Sequence, residues 1–300
     1  MDWKTQKVLV AGSGKSGIGA TDLLKKVGAE VIIYDGNDKL KEEDVLNKLE
    51  NKEDVKVILG ELEDSVINEI DMMVLSPGIA IDAPFVLRVK EAGVPIWGEI
   101  ELAYVIGKGK LAAITGTNGK TTTTTLISEM LKAEGKRVHI GGNIGKALLP
   151  IVETMSDSDV AVVELSSFQL ISMRQSPNVA AITNITPNHL NVHGTMEEYI
   201  GAKANLIAHQ NGYSRTVLNE DNEETIKLAD LVRGKLVTFS LKHPVQTGAY
   251  LNDDGMLCYT EKGRTTEIVH KDDIRIPGIH NVANYLTAIA AVWGEVSIQR

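Results

Sequence analysis

The sequence predicts an α/β protein with two domains, each built on a mostly parallel sheet. Short apolar segments typical of buried strands alternate with segments of helical periodicity along most of the 300 residues. Two of these strands run into a glycine-rich turn and then a helix, at 12–17 and at 116–121. A chain of this length can form two hydrophobic cores, and the segment 107–110, rich in glycine and lysine, is the best linker candidate. We therefore expect one domain over 1–107 and a second over 108–300.

Composition and charge narrow the classes of function. Hydrophobic residues make up 43% and charged residues 24% of the chain, as in ordinary globular proteins. The net charge of -9 argues against a partner that is nucleic acid or an anionic membrane surface, because both attract basic proteins. No apolar run reaches the roughly 20 residues of a membrane span, and the N-terminus lacks the apolar region of a secretory signal. The single Cys258 excludes an intramolecular disulfide. We expect a cytoplasmic monomer without membrane insertion.

The first glycine-rich turn is typical of a site for a nucleotide diphosphate. A short strand at 7–11 leads into Gly12-Ser-Gly14-Lys-Ser-Gly17 and a helical stretch at 18–27. A second strand, 30–34, ends at Asp35, the position of the ribose-binding acid in a Rossmann-like domain. The same geometry can hold NAD(P) or any other nucleotide diphosphate. A third reading is that the glycines only allow the helix to pack closely on the strand.

The rest of the first domain continues the alternation. A strand at 72–75 ends in Ser76-Pro77-Gly78, a tight turn at the carboxyl edge of the sheet, where open α/β sheets bind ligands. The other predicted elements are a solvated helix within the charged stretch 38–54, a strand at 55–59, a helix at 84–92, an edge strand at 95–97 and a helix that begins at 98.

The second glycine-rich turn is a candidate phosphate-binding loop of the P-loop type. Strand 111–115 leads into Gly116-Thr-Asn-Gly-Lys120-Thr121 and a helix over 121–134. The loop amides can point at phosphate oxygens, Lys120 can place a cation between the terminal phosphates, and the Thr121 hydroxyl can ligate Mg²⁺. The motif is shorter than a full Walker A, because Ile114 stands where the first glycine would be. The alternative is a strand-to-helix turn whose glycines only ease packing. Five consecutive threonines at 121–125 are mediocre helix formers, however, and favour a functional loop.

A carboxylate at the end of a later strand completes the pattern. Strand 159–164 ends at Glu164, which can hold Mg²⁺ or its water beside the loop, or can merely start the next helix with a negative charge. From the residues alone, His189 and His193 are isolated loop histidines and Lys203 is a surface charge. The remaining predicted elements are strands at 138–140, 179–183, 216–218 and 236–239, a helix at 196–210, a hairpin within 249–269 that turns at 252–255, and a last helix from 277 to about 293.

Eight segments, in this order, resemble the Mur ligases of bacterial cell-wall synthesis across nearly the whole chain. They are 12–17, 76–80, 114–121, 141–145, 164–170, 184–189, the helix around Lys203, and 280–284. The segments 76–80 and 164–169 favour the members that add D-glutamate. The resemblance implies that the first domain, although Rossmann-like, holds the UDP of a muramoyl substrate and that the second domain binds ATP.

The resemblance further implies an ATP-dependent ligase that joins D-glutamate to UDP-N-acetylmuramoyl-L-alanine through an acyl phosphate, with ATP and Mg²⁺ as cofactors. The implied contacts to the UDP portion are Ser13, Gly14, Lys15, Ser16, Gly17, Asp35, Ser76, Pro77 and Gly78, although Gly36 stands where the family often has a donor for the uracil. The implied contacts to the muramoyl-alanine end are Asn143, Ser166, Gln169 and His189. The implied ATP contacts are Gly116, Thr117, Asn118, Gly119, Lys120, Thr121, Thr122, Asn281 and Asn284. The implied metal ligands are Thr121, Glu164, His189 and a carbamylated Lys203, and the implied catalytic residues are Lys120, Glu164, His189 and Lys203.

Members of this family carry a third, amino-acid-binding domain after the second, and the sequence stops near where it would begin. On that resemblance we expect these 300 residues to bind the muramoyl nucleotide but to ligate little by themselves. Three alternatives stay open: a Mur ligase that adds L-alanine or a diamino acid, an NAD(P)-dependent oxidoreductase that uses 12–17, and a binding module without catalysis. The oxidoreductase leaves Lys120 and Glu164 unexplained.

Overall fold

A computed structural model describes residues 1–143, 148–188 and 193–298, which form two compact units. The first unit consists of Met1–Lys108 with the later segments 148–155 and Ser172–Arg174. The second consists of 109–143, Ser156–Ile171 and the described part of 175–298. Each unit has one sheet with parallel strands and covering helices, so the predicted α/β class is confirmed. Within the described ranges, no helix is both long and apolar enough to cross a bilayer.

The strands and helices are numbered here in chain order. The strands are β1 Lys7–Ala11, β2 Glu30–Asp35, β3 Val55–Leu59, β4 Met72–Leu75, β5 Ile96–Gly98, β6 Lys110–Thr115, β7 Val138–Gly142, β8 Val160–Glu164, β9 Val179–Ile182, β10 Arg215–Asn219, β11 Lys235–Ser240, β12 Gly248–Leu251, β13 Met256–Glu261 and β14 Arg264–His270. The described helices are α1 Lys15–Lys26, α2 Glu42–Leu46, α3 Asp64–Ile67, α4 Pro84–Glu91, α5 Glu99–Ile106, α6 Lys120–Ala133, α7 Leu149–Val152, α8 Ser167–Leu170, α9 Met196–Ala208, α10 Glu223–Ile226 and α11 Ile279–Val292. Short 3₁₀ turns cover Trp3–Thr5 and Lys227–Leu231.

The first unit has a five-stranded parallel sheet in the order β3-β2-β1-β4-β5. The central strand β1 is apolar along its length, and Val8, Leu9 and Val10 have no exposed surface, as expected for a parallel strand covered on both faces. The chain leaves β1 toward one side of the sheet and returns to β4 on the other. The strand order therefore reverses between β1 and β4, and a crevice for a ligand opens at such a switch point.

The second unit has a nine-stranded sheet in the order β14-β13-β12-β11-β10-β9-β6-β8-β7. The strands from β12 to β7 pair in parallel, whereas β13 and β14 are antiparallel. The sheet core packs against the apolar faces of α6 and α11, which supply Ile127, Leu131, Leu286 and Ile289. Because β6 lies between β8 and β9, the loops that follow these three strands meet at the carboxyl edge of the sheet.

Two predicted elements differ from the structure. The charged stretch 38–54 contains only the five-residue helix α2, with Val45 as its one buried side chain. A single anchor cannot offset the cost of a longer helix in water. The segment 249–269 forms the predicted turn at 252–255, but β13 then pairs with β14 through a second turn at Lys262 and Gly263, with φ of 52° and 73°. Positive φ at both central residues is the geometry that two-residue hairpin turns favour.

Candidate functional site

A crevice of about 450 Å³ lies in the first unit at the carboxyl ends of β1 and β4. Its walls are the loop after β1, the end of β2 and the turn after β4. The predicted contacts that line it are Ser13, Gly14, Lys15, Ser16, Asp35, Ser76, Pro77 and Gly78. Gly12 and Gly36 line it as well, whereas the predicted contact Gly17 is not one of its lining residues. The structure thus brings together residues from three segments that are far apart in the sequence.

Close packing forms the floor of this crevice. A Cβ on Gly17 would lie 1.8 Å from the carbonyl oxygen of Gly12, so no larger residue fits where α1 passes the loop. The Ser76 hydroxyl is buried and has no hydrogen-bond partner among the described residues. A buried hydroxyl without a partner is destabilising, and it is available to a ligand that enters the crevice.

Asp35 is held by the loop that it faces. The Ser13 amide and hydroxyl donate to its Oδ2 at 3.0 and 2.6 Å, and the Asn37 amide donates to Oδ1 at 3.1 Å. Burial alone would raise the pKa of Asp35, but these hydrogen bonds outweigh it and keep the pKa below its usual value. The carboxylate is therefore charged at neutral pH, and its bonds to Ser13 hold the loop in place.

The second glycine-rich turn connects β6 to α6 in the second unit. Hydrogen bonds to the segment that follows β9 fix the shape of this loop. The Thr117 amide donates to Asn184 O at 2.8 Å, and the Asn118 amide donates to Asn184 Oδ1 at 2.9 Å. The Thr183 hydroxyl donates to Asn118 O at 2.6 Å. The first amide with an acceptor inside α6 is that of Thr123, which bonds to Gly119 O at 2.9 Å. The amides of residues 120–122 therefore have no acceptor within the helix, and such N-terminal amides bind anions.

Lys120 lies across this loop. Its Nζ donates to Gly116 O at 3.1 Å and to Thr117 O at 2.9 Å, so the ammonium is held where the loop curves. Weak bonds to neutral carbonyls can be exchanged for stronger bonds to an anion. The Lys120 side chain is thus positioned for a phosphate group.

Glu164 ends β8 beside the loop, as predicted, and its side chain is only 2% exposed. The Thr121 hydroxyl donates to Oε2 at 2.6 Å, and the Asn143 side-chain amide donates to Oε1 at 2.9 Å. A hydroxyl and a carboxylate suit Mg²⁺, which prefers oxygen ligands. Its other ligands are usually water molecules and phosphate oxygens of a substrate. Among the described residues no group of three or more His, Cys, Asp or Glu side chains could hold a metal. The two protein oxygens fit Mg²⁺ bound together with a phosphate, and do not form a closed structural site.

Lys203 is buried, contrary to the surface position that the residues alone suggest. It is 1% exposed on α9, and its Nζ donates to Gly116 O at 3.1 Å and to Thr115 Oγ1 at 3.3 Å. The ammonium also lies 4.6 Å from the centre of the Tyr199 ring. Burial, and then the charge of Lys120, lower the pKa of Lys203 to about 7. A substantial fraction of this amine is therefore neutral near pH 7.

Asn281 and Asn284 lie on the first turns of α11 and are both buried. Asn284 Nδ2 donates to Asn281 Oδ1 at 3.1 Å, and the Asn284 Oδ1 accepts from the Thr123 hydroxyl at 3.4 Å. A Cβ on Gly119 would lie 2.2 Å from that same oxygen. Asn284 therefore packs directly against the phosphate loop.

The segment after Glu164 begins helix α8 with a capping box. The Ser166 hydroxyl accepts from the Gln169 amide at 3.3 Å, and the Ser166 amide donates to Gln169 Oε1 at 3.0 Å. These predicted substrate residues are thus fixed by each other. His189 and residues 144–145 of the glycine-rich segment 141–145 lie outside the described residues.

Sequence reasoning gave no role to Tyr199. Its hydroxyl lies 3.2 Å from Thr117 Oγ1, and its ring packs beside both Lys203 and the His193 ring. The one available signal was its position four residues before Lys203, which places both side chains on one face of a helix.

A mostly parallel sheet that carries a lysine-bearing glycine-rich loop, with a buried carboxylate beside it, is the arrangement typical of the P-loop class of α/β folds. The chain belongs to the Mur ligase family. The Mur ligase middle domain matches residues 114–292, and the Mur ligase MurD-like N-terminal domain matches residues 6–98. The resemblance seen in the sequence is confirmed.

Curated relatives match almost the whole chain. UDP-N-acetylmuramoylalanine–D-glutamate ligase of Lachnospira eligens is 43% identical over 292 residues, which are 97% of this chain and 64% of that protein. The ligase of the same name from Clostridioides difficile is 42% identical over 98% of this chain and 65% of its own length. The chain thus spans less than two thirds of the length of these relatives.

Solved structures share the fold. The UDP-N-acetylmuramate:L-alanyl-gamma-D-glutamyl-meso-diaminopimelate ligase of Neisseria meningitides superposes with a TM-score of 0.57 at 17% identity, covering 96% of this chain and 93% of that chain. MurF of Acinetobacter baumannii gives a TM-score of 0.54 at 14% identity, covering 100% of this chain and 60% of that chain. At these identities the likeness establishes the fold alone.

Proposed function

We propose that this chain serves the ATP-dependent addition of D-glutamate to UDP-N-acetylmuramoyl-L-alanine, a step of peptidoglycan precursor synthesis. The observation that carries the proposal is the 37–43% identity, over nearly the whole chain, to ligases with this name. The first unit would bind the uridine and diphosphate in the crevice between β1 and β4. The second would bind ATP at the loop after β6.

The reaction needs activation of a carboxylate, which is a poor electrophile. The substrate carboxylate attacks the γ-phosphorus of ATP, ADP leaves, and an acyl phosphate forms. The D-glutamate amine then attacks the acyl carbon, phosphate departs with the bonding electron pair, and the amine loses a proton. The protein acts by holding the reactants in line and by stabilising the charge on the transferring phosphoryl group.

The phosphate loop would hold the nucleotide. The amides of residues 116–122 and the Lys120 ammonium would bind the β- and γ-phosphates, and Asn281 and Asn284 would lie on the adenine side. Thr121 and Glu164 would hold Mg²⁺, which when bound neutralises part of the phosphate charge. The geometry in favour is the 2.6 Å contact between these two side chains, which already brings two oxygen ligands together.

The acyl end of the substrate would contact Asn143, Ser166 and Gln169, which follow β7 and β8 at the same edge of the sheet as the phosphate loop. We also propose that Lys203 takes up carbon dioxide to form a carbamate, because its pKa near 7 leaves a neutral amine available. The carbamate would be an anion able to reach the metal. His189 is proposed as a second metal and substrate contact on the family resemblance alone.

Calorimetric titration tests the proposal. The 300-residue chain is titrated separately with UDP-N-acetylmuramoyl-L-alanine, with ATP and Mg²⁺, and with NADP⁺, and the three titrations are repeated with Lys120→Ala. We expect the muramoyl nucleotide to bind both proteins, ATP to bind only the unsubstituted chain, and NADP⁺ to bind neither. Binding of NADP⁺ without the muramoyl nucleotide would instead identify the first crevice as a dinucleotide site of an oxidoreductase.

A control separates ligases within the family. UDP-N-acetylmuramate and UDP-N-acetylmuramoyl-L-alanyl-D-glutamate are the precursors to which other members add L-alanine and a diamino acid. Tighter binding of either precursor than of UDP-N-acetylmuramoyl-L-alanine contradicts the proposed substrate and leaves the family assignment intact.

A further inference from the structure

His193 has no role in the function proposed above, yet it is buried between two segments that the reaction uses. The side chain is 5% exposed. Its Nε2 lies 2.8 Å from the hydroxyl of Ser167, the first residue of α8 and the neighbour of Ser166. A buried histidine bonded to a buried serine fixes the position of both elements, because neither group has water as an alternative partner.

The other side of the His193 ring leads to the phosphate loop. The His193 and Tyr199 ring centres are 5.2 Å apart, and the Tyr199 hydroxyl lies 3.2 Å from Thr117 Oγ1 in the loop. Tyr199 also packs under the ammonium of Lys203. Phe168 of α8 stacks on the His193 ring at 5.2 Å with an angle of 14° between the planes. A continuous set of contacts thus runs from α8 through His193 and Tyr199 to the loop.

Phosphoryl transfer from ATP to a carboxylate depends on the distance between two separately held groups. In the proposed function, Ser166 and Gln169 hold the acyl end of the substrate, whereas the loop from Gly116 to Thr121 holds the γ-phosphate. Reacting atoms must lie about 3–3.5 Å apart and in line, and a displacement of about 1 Å can lower the rate on the order of a hundredfold. A packed element between the two segments determines that distance.

We propose that His193 is a positioning residue that couples the acyl-binding turn 165–169 to the phosphate loop. Its hydrogen bond to Ser167 fixes the turn, and its packing on Tyr199 fixes the loop relative to that turn. Binding of one ligand therefore orders the surroundings of the other, so the two affinities depend on each other through this histidine. The inference rests on the proposed function for the identity of the two ligands.

The test measures this coupling by calorimetry, without turnover. The dissociation constant of UDP-N-acetylmuramoyl-L-alanine is measured with and without saturating Mg²⁺ and a non-hydrolysable ATP analogue. We expect the analogue to tighten binding about fivefold or more in the unsubstituted chain, the usual lower range of site-to-site coupling. In His193→Phe, which keeps a stacking ring but loses the hydrogen bond, the ratio should fall below about twofold while each separate Kd changes little.

Three variants distinguish positioning from a general loss of structure. Ser167→Ala removes the other end of the hydrogen bond and should lower the coupling as His193→Phe does, without a further loss in the double variant. His193→Gln places an amide near the Nε2 position and should restore most of the coupling. His209→Phe changes an exposed histidine at the end of α9 and should have no effect.

The outcomes separate this inference from the proposed function. If the unsubstituted chain binds neither ligand, the proposed function fails. If it binds both ligands but shows no coupling, or if His193→Phe keeps the coupling, the proposed function stands and the role of His193 is refuted. Equal weakening of both separate affinities in His193→Phe, with no rescue by His193→Gln, also refutes positioning and indicates a structural role only.

Discussion

Adding one methyl group at Gly119 should destabilise the second unit by more than its backbone conformation explains. Gly119 precedes α6 with φ of +81°, in the left-handed region. A residue with a Cβ pays about 1–2 kcal/mol to adopt that conformation. The new Cβ would also lie 2.2 Å from Asn284 Oδ1, a distance at which one of the two groups must move.

The second contribution follows from the surroundings of Asn284. This side chain is buried, and its Nδ2 donates to Asn281 Oδ1 at 3.1 Å. Displacing it breaks buried hydrogen bonds, which costs about 1–3 kcal/mol. Gly119→Ala should therefore lower the free energy of unfolding by about 2–5 kcal/mol in total.

Gly135 provides a matched control at the other end of α6. Its φ is +83°, and a Cβ there would meet no heavy atom within 4 Å. Gly135→Ala should thus show only the conformational cost of about 1–2 kcal/mol. Urea denaturation of both variants, followed by circular dichroism, gives the difference directly. The Gly119 variant should also bind ATP more weakly, because the loop can no longer pack on Asn284.

A second background isolates the steric term. In Asn284→Ala the oxygen that Gly119→Ala would meet is absent, so the glycine substitution should cost no more there than Gly135→Ala does in the unsubstituted chain. Equal effects of Gly119→Ala in both backgrounds, or equal effects of the two glycine substitutions, would show that the loop does not have the described contact with α11.

Three further predictions concern charge and metal binding. Lys203→Met removes a buried amine whose pKa of about 7 is lower than that of a lysine in the unfolded chain, so its positive charge destabilises the folded state at low pH and this penalty is lost as pH rises. In bicarbonate-free buffer, the free energy of unfolding of the unsubstituted chain should therefore rise by about 2 kcal/mol relative to that of the variant between pH 7 and pH 9. Free energies from urea unfolding that change with pH in parallel for the two proteins would contradict this. The Asp159 carboxylate accepts hydrogen bonds from Ser156, His139 and Arg137, and these bonds hold its pKa well below the usual value. Asp159→Asn should therefore lower the Tm in calorimetry at pH 7 by an amount that shrinks as pH falls below about 4, and an amount that stays constant with pH would exclude the ionised carboxylate as its cause. Thr121→Val should weaken ATP binding in the presence of Mg²⁺ by about 10- to 100-fold in calorimetry and leave muramoyl-nucleotide binding unchanged. An equal loss of ATP affinity in the absence of Mg²⁺ would argue against a role of Thr121 at the metal.

Local patterns predicted much of the fold and the centre of the site. The succession of strand, glycine-rich turn and helix is encoded within a dozen residues, so the positions of Lys120 and Thr121 could be read directly from their spacing. Glu164 could be predicted as well, because an acidic residue at the end of a parallel strand lies at the same sheet edge as the loop.

Contacts between distant segments could not be predicted in this way. Asn184 fixes the loop from 66 residues away, and no feature of its own sequence shows which backbone amide it binds. Lys203 lies among small residues on a helix, a pattern that suits a surface charge and a buried amine equally. Its burial depends on strand order, which places α9 over the end of β6.

The carbonyl oxygen of Gly116 accepts hydrogen bonds from both Lys120 and Lys203, each at 3.1 Å. Because Lys203 is buried close to the positive charge of Lys120, its pKa is lowered, and an anion bound beside the two amines would raise that pKa again. As long as Lys203 is a free amine, nucleotide binding near neutral pH should therefore draw protons from solution. The measured heat of binding would then change with the ionisation enthalpy of the buffer. Titrations in several buffers would therefore give the number of protons taken up by Lys203 together with the affinity for the nucleotide.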